Sequence, residues 1–81
     1  MYQKINQKIW VAGVYKNTSF QPVKFQWKNR LFPIEEITLQ SDAKDGQVHK
    51  RLYSVLSGKE VYRLEFNRNS EIWYLREIWV E

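Results

Sequence analysis

From Val23 to Lys28 apolar and polar side chains alternate without a fault. Val23, Phe25 and Trp27 fall on one side of an extended chain and Lys24, Gln26 and Lys28 on the other. A side-chain period of two belongs to the β-strand, so this segment predicts one buried face and one basic face. The rest of the chain is built from similar short blocks of Val, Ile, Tyr, Phe, Trp and Thr, with no sustained 3.6-residue stripe of an amphipathic helix. The spacing predicts six strands, over residues 8–15, 20–28, 31–40, 50–56, 60–66 and 71–80.

Turn chemistry separates them. Asn17, Thr18 and Ser19 end the first strand, Lys28, Asn29 and Arg30 turn the second into the third, and Ser57, Gly58 and Lys59 turn the fourth into the fifth. Residues 67–70 make a further turn. The polar stretch 41–47, with its Asp45-Gly46 pair, is expected to be the one long mobile loop. Pro22 and Pro33 lack a ladder donor and belong at strand entrances, edges or bulges. Gly13, inside a strand, marks a bulge or a close backbone approach.

LFPIEEITL at residues 31–39 echoes IWYLREIWV at residues 72–80. In each, apolar residues flank a charged pair, Glu35 with Glu36 and Arg76 with Glu77, where the alternation slips by one position. A β-bulge at each pair restores the core face. Two similar hairpins are therefore expected, in an all-β fold of about six antiparallel strands forming a small, strongly bent sheet or an SH3-like partly open barrel.

At 81 residues the chain is expected to be a single domain over 1–81, with 1–7 a flexible N-terminus. A domain of this size buries only roughly 60–65% of its unfolded surface. Its thirteen aromatic rings must supply much of the apolar area that offsets chain entropy. Cysteine is absent, which excludes disulfides and thiolate chemistry. No apolar run approaches the roughly 20 residues of a membrane span, and the polar start lacks a signal-peptide core. A cytoplasmic protein without membrane association is the expectation.

The net charge of +4 is unevenly placed. Residues 1–30 hold six Lys or Arg and no acid, whereas residues 31–81 hold seven bases and nine acids. An acid-free segment rich in Gln, Asn and aromatics suits a polyanion such as nucleic acid, although a modest positive charge also serves solubility alone.

Catalytic chemistry is sparse. His49 is the only histidine, and the serines lack the setting of a nucleophile. Glu35 and Glu36 are adjacent and point to opposite faces of a regular strand, so a paired-carboxylate site is not expected. The three scattered glycines make no phosphate loop. The expectation is a protein that is not an enzyme and holds neither cofactor nor metal.

The binding inventory is richer. Lys24, Gln26, Lys28 and Arg30, extended by Lys50 and Arg51, are the candidate nucleic-acid contacts. Trp10, Tyr15, Tyr53 and Tyr74 are the candidate aromatic contacts, because their strands carry more apolar residues than one face buries. A protein partner or a homodimer, joined through exposed aromatics or an unpaired edge strand, accounts for the same surplus. Small-ligand binding is a third class, and it requires a pocket with converging polar groups.

The segments VKFQWKNRLFPIEEI, RLYSV, YRLEF and IWYLREIWV together resemble a family of small bacterial all-β domains, the resemblance spanning about residues 8–80. Domains of that family occur alone or at the C-terminal end of proteins related to Y-family DNA polymerases, and they carry no assigned activity. The resemblance implies a small β-domain and a DNA-related or protein-docking role, and it assigns no catalytic residue.

Overall fold

The computed structural model describes residues 1–80. It contains one antiparallel sheet of seven strands: β1 (Tyr2–Lys16), β2 (Ser19–Trp27), β3 (Arg30–Pro33), β4 (Glu36–Asp45), β5 (Val48–Ser57), β6 (Glu60–Asn67) and β7 (Ile72–Trp79). Their spatial order is β3-β2-β1-β7-β6-β5-β4, strongly curled into a half-barrel. Among the described residues no helix is long and apolar enough to cross a membrane.

The seventh strand arises because residues 31–40 do not form one strand. The chain leaves β3 at one edge of the sheet and enters β4 at the other, with only Ile34 and Glu35 between them. Ile34 N–H donates to Val23 O and Glu35 N–H to Leu56 O, both at 2.8 Å, so the corner is stitched to β2 and β5 at once. LFPIEEITL is thus split across two edges, whereas IWYLREIWV lies in a single strand, and the two expected hairpins are not equivalent. The bulge expected at Glu35 and Glu36 is replaced by this corner and by a register shift between Ile37 and Leu39.

The bulge expected at Arg76 is present: Arg63 pairs with Glu77 and Leu64 with Leu75, which leaves Arg76 as the extra residue of β7. On the other side of β7, Lys4 pairs with Glu77 and Gln7 with Leu75, so β1 carries a further residue at Asn6, whose φ is 54°. Successive extra residues from β6 to β7 to β1 lengthen one side of each pairing and bend the sheet.

Residues 1–7 are not a free N-terminus. They pair with β7, Met1 and Val80 exchange backbone hydrogen bonds of 2.7 and 2.8 Å, and the Tyr2 ring meets Trp79 edge-on at 5.0 Å. Residues 41–45 likewise belong to β4, and only Gly46 and Gln47 form the turn, with Gly46 at φ 62°. That stretch is polar because it lies on the open edge of the sheet, not because it is a loop.

The first half of β1 pairs with β7 and its second half with β2, so one strand serves a small three-stranded layer (β1–β3) and a larger layer (β4–β7 with the start of β1). Their inner faces meet in a core of Phe25, Tyr53, Val55, Tyr62, Leu64, Leu75 and Ile78. Phe25 is fully buried, stacked on Phe32 at 5.0 Å and edge-on to Tyr62 at 5.2 Å, and so joins the two layers.

Gly13 lies on the inner face beside a register shift, where a side chain would meet the Gln21 carbonyl and the Phe20 ring. Gly13→Ala therefore must displace backbone as well as a ring, and is expected to lower the unfolding free energy by about 1–3 kcal/mol in urea titrations. An unchanged midpoint would contradict the packing described.

Candidate nucleic-acid interface

The small layer is made wholly of the acid-free segment, since β1, β2 and β3 end at Pro33 and the first acid is Glu35. Directly opposed residues of an antiparallel pair share a face. Trp10, Gln26 and Leu31 therefore form one row on the outer face, and Ala12, Lys24 and Pro33 the next. Lys8 continues the outer face of β1, opposite Tyr74. Trp10 is 54% and Leu31 57% exposed, and Lys8, Lys24 and Gln26 are exposed as well. This face presents ammonium groups, an amide and one open indole with no carboxylate from its own strands.

Lys28 and Asn29 occupy the two central positions of the β2–β3 turn at φ 52° and 59°, as a type I′ hairpin requires. The Lys28 ammonium folds to 4.6 Å from the Trp27 ring, so its charge stays at the rim of the same layer. Arg30 departs from the expected set. It pairs with Trp27 on the inner face, and its guanidinium sits 5.2 Å from the Phe32 ring.

Lys50 and Arg51 also stand apart. Adjacent in β5, they point to opposite faces, and each is held by acids: Lys50 by Glu65 at 3.7 Å and Asp45 at 3.8 Å, Arg51 by Asp42 at 2.8 Å. Arg76 bonds Glu65 at 2.7 Å and Arg63 lies 3.8 Å from Glu77. Among the described residues every ion pair falls in the larger layer, and no base of residues 1–30 takes part in one. Residues 31–81 hold seven bases against nine acids, so the net positive charge belongs to the acid-free segment.

The aromatic candidates divide in the same way. Trp10 shares the face with Lys24 and Gln26. Tyr15 is 79% exposed but lies on the inner side of β1, 5.4 Å from Phe20 at the open mouth of the half-barrel. Tyr74 is half-buried, with the Arg76 guanidinium 4.3 Å from its ring. Tyr53 is a core residue, only 2% exposed, and offers no surface to a ligand's outer approach. Its neighbours in β5 are covered on both faces, which an alternating pattern alone does not reveal. Lys8 and Leu31 were missed as members of the basic face, although Lys8, Trp10 and Ala12 alternate in β1 as Lys24 and Gln26 do in β2.

Fold and surface together define the class: a small all-β half-barrel with one basic, acid-free outer face. No protein-family model, curated protein or solved structure matches this chain.

Burial holds the phenols of Tyr53 and Tyr62 above their ordinary value, and the nearby Arg51 guanidinium only partly offsets this for Tyr53. In the unfolded chain these phenols ionise first as pH rises, so the stability they carry is complete below about pH 10 and is lost through their raised folded values. Urea unfolding between about pH 8 and 11 is expected to show this decline. Tyr53→Phe should make it shallower, and an equal decline in the variant would contradict the assignment to Tyr53.

Proposed function

We propose that this chain is a non-catalytic binding module that holds single-stranded nucleic acid against the outer face of the small layer. The observation that carries this reading is the absence of any acid from β1, β2 and β3, with their bases in no ion pair among the described residues. Lys8, Lys24 and Lys28 would meet backbone phosphates, Trp10 would stack on a base, and Gln26, next to it in the same row, would bond a base edge. Stacking on an indole requires a base outside a duplex, which favours single strands. The resemblance to small β-domains that accompany Y-family polymerase-like proteins supports a DNA-related role, and a cysteine-free chain suits a cytoplasmic setting.

The rival reading is a protein-interaction or self-association module. Its support is β4, a ten-residue strand at the end of the sheet, with Leu39 57% exposed. The bulge near Leu39 and the charges of Asp42, Lys44 and Asp45 work against it, because both devices blunt an edge to further pairing.

Fluorescence anisotropy with single-stranded and duplex oligonucleotides separates the two. Three phosphate contacts predict a slope of about −2 in log affinity against log salt for the single strand. Lys24→Glu with Lys28→Glu should abolish that affinity, and Trp10→Ala should cost about 1–3 kcal/mol. No salt-sensitive binding tighter than about 100 μM at low salt would overturn the reading. A stable dimer in light scattering, independent of salt, would favour the rival.

A further inference from the structure

The inner face of the half-barrel changes character along its length. Around Phe25 the two layers close on each other, but at the opposite end β4 turns Gln40 and Asp42 inward, opposite Tyr53 and Arg51. Polar residues on that stretch of β4 cannot complete an apolar core. A cavity of about 310 Å³ opens there, walled by Phe20, Tyr53, Phe66 and Trp73 and edged by Arg51 and Glu71. Its volume is at the lower end of small-molecule sites and suits one ring system.

The walls are built rather than incidental. Gly13, lacking a side chain, lets the Phe20 ring lie against the sheet, 5.9 Å from Trp73. Trp73 also packs at 5.4 Å from Tyr53 and 4.8 Å from Phe66, so the indole is fixed at the centre of the wall. Glu71 holds a positive φ of 62° because its N–H donates to Asn67 O at 2.7 Å, and this places it at the rim. The Asn67 side-chain oxygen in turn accepts from the Asn69 and Ser70 N–H groups, which closes the turn.

The polar edge narrows the choice of ligand. Arg51 donates through Nε to Asp42, which balances its charge, and its guanidinium also interacts with the Tyr53 hydroxyl at the cavity wall. A guanidinium in the wall opposes a cationic guest, and Glu71 opposes an anionic one. We propose that this cavity binds a neutral planar heteroaromatic ring bearing carbonyl and amino groups, the chemistry of a nucleobase, with Arg51 donating to a carbonyl and Glu71 accepting from an amino group. The site is on the opposite side of the sheet from Lys24 and Trp10 and does not depend on the reading above.

The test uses free adenosine, guanosine, cytidine and uridine, with choline and benzoate as cationic and anionic controls. Saturable NMR shifts are expected at the Trp73 indole N–H and the Phe20 and Arg51 amides for at least one nucleoside, at equal affinity in about 20 and 300 mM salt. Phe20→Leu and Arg51→Met should each weaken binding by about tenfold or more, and Trp10→Ala should not change it. If Phe20→Leu fails to fold, Arg51→Met alone decides. The proposal is overturned if no nucleoside shifts these resonances, if choline or benzoate shifts them as strongly, or if a folded Arg51→Met variant binds as the native chain does.

Discussion

Two residues decide the shape of this molecule. Ile34 and Glu35 carry the chain from one edge of a seven-stranded sheet to the other, and so short a link is possible only if the sheet curls until its edges meet at that point. The hydrogen bonds from Ile34 to Val23 and from Glu35 to Leu56 fix the meeting in the ladder itself. From that corner β3 runs back along β2 and β4 along β5, so the edges diverge and the barrel stays open. The filled core beneath the corner, with Phe25 between Phe32 and Tyr62, and the aromatic cavity at the far end are two outcomes of one constraint.

The curl is distributed rather than abrupt. Arg76, the extra residue of β7, bonds Asn6, the extra residue of β1, at 3.3 Å and Glu65 of β6 at 2.7 Å. One guanidinium thus ties together the strands whose registers slip, on the outer face of the larger layer. Glu65 is only 7% exposed, and with Arg76 and Lys50 both on it no buried carboxylate among the described residues is left without a partner. Asp42, Asp45, Glu65 and Glu77 are occupied in this way with bases of the later sequence. Charge that looks merely uneven along the chain becomes segregated in space, with mixed charge and ion pairs on the larger layer and lysines without acids on the smaller.

Much of this is legible in the sequence. The alternation around Phe25 gave the correct faces for Lys24, Gln26 and Trp27, the slip at Arg76 was a bulge, and Gly13 marked a close approach. Other features were hidden for physical reasons. The strand at residues 2–7 is interrupted by the bulge at Asn6, and its partner lies about seventy residues away, so no local pattern announces it. β4 is polar because one side is an open edge, and the local sequence does not distinguish that polarity from a loop's. Of the expected contact residues, Lys24, Gln26, Lys28 and Trp10 gather on or beside one face. Arg30, Lys50 and Arg51 do not, because hairpin geometry and strand alternation send neighbours to opposite sides.

The account rests on an outer face of the small layer that carries lysines and an open indole but no acid. Residue-resolved NMR during titration with a short oligothymidine tests this most directly. It predicts shifts at the amides of Lys8, Lys24 and Gln26 and at the Trp10 indole N–H, with the amides of Lys50, Arg63 and Arg76 unmoved. Shifts centred on the larger layer or on the β4 edge, or none at all, would contradict it.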